Sequence, residues 1–310
     1  MSLNDIATLI KSQAASLGFD TCGFAAAAPV DEVAVQRYDR WIAQGHNGCM
    51  AWAANHHDLR RDPSLLLDGA QTVISLALNY YPVRFQPAGT LRVAYYAYGR
   101  DYHEVLREKL SELAQFVEQT TGCATRPCVD SAPIRERYWA QRAGLGFIGR
   151  NNCLIIPGKG SFFFLGEIVT TAQLPPDEPC TLTCGDCGQC VDACPTQAMQ
   201  ADGTVDASRC LSCLLIEDHS EELPHWVAEV VGDRVVGCDE CQLCCPHNVG
   251  AIPTTIEDFT PTDIVMTLTR ERIAAMTSGE FKRLFAHSAI SRLRYKTLCR
   301  NARLASPKKP

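Results

Sequence analysis

No apolar run in the 310-residue sequence approaches the length of a membrane span, and no secretory hydrophobic segment follows Met1. Cysteines are not spread along the chain as a disulfide framework requires, because 11 of the 17 fall between Cys180 and Cys245. Excess positive charge is also missing, and a formal net charge of -6 argues against indiscriminate nucleic-acid binding over the whole surface. We therefore expect a protein of the reducing cytoplasm, not bound to a membrane, with cysteines that bind metal locally.

Asp and Glu are absent from the segment 281–310, which nevertheless carries nine basic residues. These are Lys282, Arg283, Arg292, Arg294, Lys296, Arg300, Arg303, Lys308 and Lys309. Such a block can follow nucleic-acid phosphates, or it can be a solvated helix face with a frayed tail. One apolar helical stripe could run through Leu284, Ala286, Ile290, Leu293 and Leu298.

The clustered cysteines form two similar motifs. The first, C-x-x-C-x-x-C-x-x-x-C-P, comprises Cys184, Cys187, Cys190, Cys194 and Pro195. The second, C-x-x-C-x-x-C-C-P, comprises Cys238, Cys241, Cys244, Cys245 and Pro246. The first motif is typical of two-cluster bacterial ferredoxins, in which the fourth cysteine binds the other cluster. A zinc site is the main alternative for a C-x-x-C pair, but the longer motif favours two iron-sulfur clusters.

Two cubane clusters need eight thiolates, and this region offers more. Ferredoxin-like crossing gives the first cluster Cys184, Cys187, Cys190 and Cys245. The second cluster receives Cys194, Cys238, Cys241 and one further cysteine. Cys210 and Cys213 both suit this last place, and spacing alone does not choose between them.

The hydrophobic pattern indicates a mixed α+β protein. Helices are predicted from Ile6 to a stop at Gly18, around 105–117 and around 133–142, and strands at 22–24, 72–78, 153–156 and 161–169. Prolines at 175, 176 and 179 then mark a domain boundary. We predict a catalytic α/β domain at 1–175, a two-cluster module at 176–250 and a basic helical segment at 251–310.

Gly144, Gly146 and Gly149 match the dinucleotide-binding pattern G-x-G-x-x-G. That pattern needs a strand before it and a helix after it, whereas here a helical segment precedes and a strand-like segment follows. The glycines therefore predict a tight connection from helix to strand.

Several motifs together resemble the epoxyqueuosine reductase family, which acts in tRNA queuosine synthesis. They are VDSAPIRER at 129–137, AGLGFIG at 143–149, GSFFFLGE at 160–167, the two cysteine motifs, and DASRCLS at 206–212. The resemblance extends to about residue 304. It implies a cobalamin-binding catalytic domain joined to a ferredoxin-like module with two 4Fe-4S clusters, followed by short C-terminal helices that correspond to truncated HEAT-like repeats.

The resemblance also implies roles for single residues. Cys210 becomes the fourth ligand of the second cluster, which leaves Cys180, Cys213 and Cys244 as extras. The chain departs from the family at Cys213, at Cys244 and at His247, so an alternative ligand set that includes Cys244 stays open. His247 could tune a cluster through a hydrogen bond to sulfur or be a plain surface residue.

Asp130 matches the family's proton donor, a role that requires burial or nearby negative charge to keep the carboxyl protonated near neutral pH. Asp130 or Ser131 could instead cap the helix near Pro133. The positions expected near the cobalamin, in addition to Asp130, are Arg60, Ala94, Leu154, Leu165 and Ser212. For Leu154 and Leu165 a core position competes with this role, and Arg60 could be part of a surface pair with Arg61.

The implied activity is reduction of epoxyqueuosine to queuosine at the wobble position of a tRNA anticodon, by a monomer supplied by an external one-electron donor such as flavodoxin or ferredoxin. Another cobalamin and iron-sulfur reductase, such as a reductive dehalogenase, is the alternative. A ferredoxin with an accessory domain is a third possibility, but it would not need about 175 residues ahead of the clusters.

Overall fold

The computed structural model describes residues 1–200 and 202–306. Thirteen α-helices lie within these ranges: α1 (Leu3–Ser16), α2 (Glu32–Ala43), α3 (His57–Arg61), α4 (Tyr102–Thr121), α5 (Glu136–Arg142), α6 (Gln189–Ala193), α7 (Leu211–Ile216), α8 (Val227–Val230), α9 (Glu240–Leu243), α10 (Asp263–Met266), α11 (Arg270–Ala275), α12 (Ser278–Leu284) and α13 (Tyr295–Leu304). The eight strands are β1 (Thr21–Ala26), β2 (Thr72–Asn79), β3 (Arg92–Val93), β4 (Thr125–Cys128), β5 (Phe147–Ile148), β6 (Leu154–Ile155), β7 (Phe163–Thr170) and β8 (Arg234–Val236). Within these residues no helix is both long and apolar enough to cross a bilayer.

A four-stranded sheet in the order β1-β2-β7-β4 forms the centre of the first half of the chain. Its three strand pairs are all antiparallel, so the predicted α+β class is confirmed and the strands do not alternate with helices as in a parallel sheet. Successive side chains of a strand point to opposite faces. Ile74 and Leu76 therefore pack with α1 and α4, while Val73 and Ala77 pack with Trp139 of α5 on the other face.

The glycine-rich segment joins α5 to β5 and β6, as the sequence predicts. Gly144 has φ +78°, a conformation that favours glycine, and a Cβ at Gly146 would lie 2.2 Å from the carbonyl oxygen of Ile155. The connection is tight because two backbones meet there. It places β6 and the following residues beside the second half of the chain.

The second half is tied to the first by a parallel pair. β3, from the predicted catalytic domain, pairs with β8 from the predicted cluster module. Around this pair Tyr98 and Val235 share a hydrophobic core with Leu298 of α13. Residues of all three predicted segments contribute to this core. The predicted domain boundaries at 175 and 250 therefore remain predictions.

The predicted continuous stripe in the C-terminal segment is wrong. α12 ends at Leu284, which is 39% exposed, a 3-10 turn follows at Ala289–Leu293, and Arg294 with φ +64° separates that turn from α13. The Ala289–Leu293 turn contacts α7, and α13 contacts both β8 and α7, so the two pieces pack separately against the second half of the chain. Arg300 is buried, and its guanidinium donates to the carbonyls of Leu214 and Ser220. Lys308 and Lys309 lie outside the described residues.

Candidate active site and metal centres

Four of the predicted cluster ligands line one small pocket. These are Cys184, Cys187, Cys190 and Cys245. Arg150, Asn151 and His247 complete its wall. Burial raises the pKa of the Cys190 thiol to about 11, and nearby thiolate charge at Cys244, Cys184 and Cys245 adds to the rise. Four thiols around one pocket are a suitable donor set for an iron-sulfur cubane, which binds the deprotonated form.

Cys244 lies near this pocket but does not line it. Its charge contributes to the raised pKa of Cys190, yet its side chain is not part of the pocket wall. His247 packs edge to face on Phe147, with ring centroids 5.4 Å apart. Cys245 thus lines the pocket and Cys244 does not, which agrees with the predicted ligand set, and the assignment of ligands remains a prediction.

The other four predicted ligands also come together. They are Cys194, Cys210, Cys238 and Cys241, and the charges of Cys210 and Cys238 both raise the pKa of Cys241. Cys210 stands immediately before α7 and Cys241 lies in α9. Although burial opposes it, hydrogen bonds from Thr196 and the Ala198 amide lower the pKa of Cys194.

Cys153 is the residue that sequence reasoning missed in this region, because it lies outside both cysteine motifs. Its Sγ donates to the Asn151 carbonyl at 3.8 Å, and its interaction with the nearby Cys241 thiol lowers the pKa of Cys153 and raises that of Cys241. Its charge also acts on Cys245 of the first pocket. Cys153 thus lies between the two cysteine groups, and only the tertiary fold brings it there.

A large cavity of about 940 Å³ lies next to the second cysteine group. α2, α5 and α7 contribute to its walls, and Cys210 is one of the lining residues. Asn151 lines both this cavity and the small pocket. The volume of the large cavity is near the upper end of the 300–1,000 Å³ typical of ligand sites. The small pocket with the first cysteine group, the second cysteine group and the cavity therefore lie close to one another.

Arginine is the most frequent charged residue of the cavity wall, which also contains four carboxyls. The five arginines are Arg37, Arg60, Arg135, Arg137 and Arg142. Arg60 lies over the Trp52 ring, with its guanidinium carbon 5.8 Å from the centroid, and Arg135 lies over Tyr38 at 4.5 Å. Guanidinium groups and aromatic faces suit a large, flat ligand with amide or phosphate groups.

The predicted cobalamin contacts divide into two sets. Arg60, Asp130 and Ser212 line the cavity. Ala94, Leu154 and Leu165 are not among its lining residues, because Leu154 and Leu165 pack in the core between the sheet and α5 and Ala94 is 4% exposed beside Gly237. These three are therefore not part of the cavity wall, and their contact with a cofactor stays a prediction.

Asp130 is held in an unusual conformation at the cavity edge. Its φ is +41°, and its amide donates to Glu136 Oε1 at 2.7 Å. α5 begins at Glu136 without a side-chain cap, so the alternative that Asp130 or Ser131 caps this helix is wrong. The backbone conformation is instead fixed by the bond to Glu136, which stabilises a strained residue at a candidate functional position.

The carboxylate of Asp130 belongs to a hydrogen-bonded chain. His103 Nε2 lies 2.7 Å from Asp130 Oδ2, and His103 Nδ1 lies 2.6 Å from Asp101 Oδ1. The His103 side chain is 3% exposed and that of Asp130 42%. Arg292 Nη1 lies 3.8 Å from the same Asp130 oxygen. Sequence reasoning missed His103, although D-Y-H directly before a long amphipathic helix was visible.

The two groups have opposite pKa shifts. Burial opposes ionisation of Asp130, but the hydrogen bond and charge of His103, together with Arg292, outweigh burial and lower its pKa. Burial also opposes the charged form of His103, but hydrogen bonds to Asp101 and Asp130 raise its pKa. The pKa of Asp130 is thus lowered rather than raised, while a carboxylate oxygen lies within hydrogen-bond distance of each nitrogen of His103, so the protonated imidazole can donate to both. The role of Asp130 as proton donor stays a prediction.

One pocket lined by four cysteines, and a second group of cysteines beside a large cavity with an acid-base group, define the class of protein: an iron-sulfur oxidoreductase with a separate cofactor cavity. The model of the family described as "4Fe-4S double cluster binding domain" matches residues 183–248. The model described as "Epoxyqueuosine reductase QueG, DUF1730" matches residues 60–131.

Full-length relatives identify the family. An epoxyqueuosine reductase of Gloeobacter violaceus is 43% identical over 305 residues, covering 96% of this chain and 95% of that protein. One of Cellulophaga algicola is 41% identical over 294 residues, covering 94% of this chain and 95% of the other. The chain belongs to the epoxyqueuosine reductase family.

Solved structures agree with this placement. A crystal structure of epoxyqueuosine reductase with a tRNA-Tyr epoxyqueuosine-modified tRNA stem loop matches with a TM-score of 0.89 at 31% identity, covering 98% of this chain and 81% of that one. The Bacillus subtilis enzyme, in a state with an aspartate catalytic loop swung out of the active site, matches with a TM-score of 0.88 at 31% identity and the same coverage.

Proposed function

We propose that this chain reduces epoxyqueuosine to queuosine at the wobble position of a tRNA anticodon. The observation that carries the proposal is the arginine-lined cavity that has Asp130 in its wall and Cys210 of the second cysteine group beside it. The relatives that match nearly the whole chain carry the name of this reaction, and one matching structure contains an epoxyqueuosine-modified stem loop. A reductive dehalogenase remains the alternative, with no feature of the site that favours it.

The residues present fit three redox groups. Cys184, Cys187, Cys190 and Cys245 would hold one 4Fe-4S cluster, and Cys194, Cys210, Cys238 and Cys241 would hold the other. Cobalamin would occupy the large cavity, against Arg60 and Ser212. When bound, the clusters supply single electrons and cobalamin supplies a low-valent cobalt centre of high reducing power.

Proton delivery is the part that the chain's own side chains perform. Reduction of an epoxide to an alkene breaks two carbon-oxygen bonds, consumes two electrons and two protons, and releases water. Asp130 faces the cavity and is hydrogen-bonded to protonated His103, so a proton can pass from Nε2 through the Asp130 carboxyl to the departing oxygen. Asp101 holds the other imidazole nitrogen and fixes the orientation of the ring.

Substrate RNA would be held near this acid by basic side chains. Arg292 lies beside Asp130, and exposed basic residues surround it on the same segment. They are Lys282, Arg283, Arg294, Lys296 and Arg303. Anticodon bases are recognised when they are splayed out of the loop into a pocket, with phosphates held by charges around the entrance. The buried Arg300 is excluded from this role.

An external one-electron donor such as flavodoxin or ferredoxin would serve the first cysteine pocket. Exposed apolar residues flank its ligands in the sequence, including Leu182 at 54% and Val249 at 85% exposure. Such residues suit a transient contact with a redox partner. Within this proposal the enzyme acts as a monomer in the reducing cytoplasm.

The test is anaerobic purification with iron, cobalt and visible-spectrum analysis, followed by reduction of an epoxyqueuosine stem loop. Asp130→Asn keeps the shape of the side chain but removes the acid, so it should retain both clusters and cobalamin and lose most turnover, on the order of a hundredfold or more. An unchanged rate in Asp130→Asn would refute the role of Asp130. Fewer than two clusters per chain in the wild type would count against the ligand set.

A further inference from the structure

The proposed reaction needs two protons, but the pair of Asp130 and His103 accounts for one. The inference that follows rests on the proposed function and extends it. A second acid must face the cavity, because the epoxide oxygen receives both protons when it leaves as water. Glu136 is such a group, and the chemistry described so far does not use it.

Glu136 lies beside Asp130 in the same cavity wall. It is the first residue of α5, half-buried, and its Oε1 accepts the Asp130 amide at 2.7 Å. The hydrogen bond comes from a neutral amide, whereas Asp130 is paired with the cations His103 and Arg292. The Glu136 carboxyl therefore has a neutral hydrogen-bond donor, whereas the neighbouring Asp130 carboxyl has cationic partners.

A second carboxyl, Glu167, lies behind Glu136. It is on β7, fully buried at 0% exposure, and its Oε2 has no hydrogen-bond partner. Ser75 Oγ is 3.5 Å from its other oxygen. Because buried carboxyls near one another cannot all be ionised, this arrangement keeps protons on the pair of Glu136 and Glu167.

We infer that Glu136 is a second acid of the site, which supplies the proton that the pair of Asp130 and His103 does not. One proton passes from His103 through Asp130, and the other leaves the Glu136 carboxyl, which becomes a carboxylate. With two electrons from the external donor, the epoxide loses its oxygen as water and the alkene forms. Atoms and charges therefore balance without a further co-reactant.

The electrostatics of the site agree with this assignment. Burial, followed by the negative charge of Asp130, raises the pKa of Glu136 to about 7. Three titratable groups act electrostatically on Glu136, namely Asp130, His103 and Arg137. Glu136 in turn acts on Glu167, Cys128 and Tyr102. Neighbouring carboxyls whose pKa values are driven apart are the usual arrangement for separate acid and base roles.

Glu136→Gln tests the inference directly, because glutamine can still accept the Asp130 amide through Oε1 but carries no acidic proton. Reduced holoenzyme is mixed anaerobically with an epoxyqueuosine stem loop, and single-turnover rates are recorded from pH 6 to 9. We expect Glu136→Gln to be slower on the order of a hundredfold at pH 7. The wild-type rate should fall as the pH rises, because Glu136 ionises at about pH 7 and His103 also loses its proton. In the variant only the part of the fall caused by His103 should remain, so its profile should be shallower than that of the wild type.

Glu112→Gln, an exposed glutamate on α4, is the matched control and should behave as wild type. Visible spectra and iron and cobalt content report whether each variant holds its cofactors. If Glu136→Gln does not fold, Glu136→Asp keeps an acid and should retain the alkaline fall at a reduced rate. Wild-type rate and pH profile in Glu136→Gln, or a flat profile in folded Glu136→Asp, would overturn the inference. No conversion by the wild type would instead contradict the proposed function itself.

Discussion

Replacement of His103 by glutamine tests the proton chain at its most buried point. The imidazole bonds to Asp101 on one side and to Asp130 on the other, at 2.6 and 2.7 Å. Glutamine is of similar size but cannot carry the positive charge. The variant therefore removes the proton store and leaves Asp101 and Asp130 without their shared cation.

The structure sets the size of the effect on stability. Hydrogen bonds to charged groups contribute about 1.5–3 kcal/mol. The Asp130 side chain is 42% exposed, so water screens that bond and its contribution falls to about 1.5 kcal/mol or less. The Asp101 side chain is 12% exposed, which keeps that bond near the upper value. We expect His103→Gln to lower the free energy of unfolding by roughly 4 kcal/mol at pH 6.

The sign of the pH dependence follows from the two shifts. The pKa of His103 is raised, so its stabilisation is fully present below the ordinary histidine value of 6.5 and is lost as the pH rises through the folded-state value. The pKa of Asp130 is lowered, so its stabilisation is present above 3.8 and is lost as the pH falls through its folded-state value. The difference between wild type and variant should thus be largest between these limits and shrink toward alkaline pH.

Urea unfolding of the anaerobic holoenzyme at several pH values measures the stability difference, and single-turnover reduction of an epoxyqueuosine stem loop measures the rate. Turnover should fall on the order of a hundredfold, and a second substitution, Asp130→Asn, should add little because both residues serve one proton path. His57→Gln, at an exposed pair with Asp39, is the control. Additive losses in the double variant, or a stability difference independent of pH, would refute the reasoning.

Two further predictions concern the cysteines and the buried carboxyl. Of the adjacent pair Cys244 and Cys245, only Cys245 lines the first pocket. Cys245→Ser should therefore lose about half of the bound iron, whereas Cys244→Ser should keep both clusters. Equal iron loss in both variants would overturn the ligand set. Glu167→Gln should raise the free energy of unfolding at pH 8 by roughly 1–3 kcal/mol, since burial raises the pKa of Glu167 well above 4.5 and the native state loses stability as the pH rises above that value. Urea melts at pH 5 and pH 8 should show that the stability gained by the variant increases with pH. A gain that is the same at both pH values would contradict a raised pKa of Glu167.

The fold elements that the sequence predicts correctly are those with a strong local signal. β2 alternates between two buried faces, and the α4 stripe and the Gly18 stop are regular, so hydrophobic period and glycine are enough to locate them. The C-terminal stripe was mistaken because residues 284–298 change direction at Arg294, which no local pattern signals. The pairing of β3 with β8 is equally invisible, since it joins residues far apart in the chain.

The candidate site divides in the same way. Cysteine spacing predicts three neighbouring ligands of the first cluster because they come from one loop, whereas the second predicted group draws on distant segments and spacing does not choose Cys210 over Cys213. His103 and Cys153 lie outside every motif, and each gains its importance from a contact across the fold. Glu136 lies within VDSAPIRER, but the motif does not show that its carboxyl accepts the Asp130 amide. The chemical state of Asp130 was also out of reach, since the sequence does not show that a buried imidazole beside it makes its charged form favourable.

Single turnover of an epoxyqueuosine-modified anticodon stem loop by the reduced, cobalamin-loaded chain tests the central claim most directly. The account predicts a product with the mass of queuosine, one oxygen atom lighter than the substrate, formed only when cobalamin and a one-electron donor are both present. A protein that contains both clusters and cobalamin but leaves the epoxide intact would contradict it.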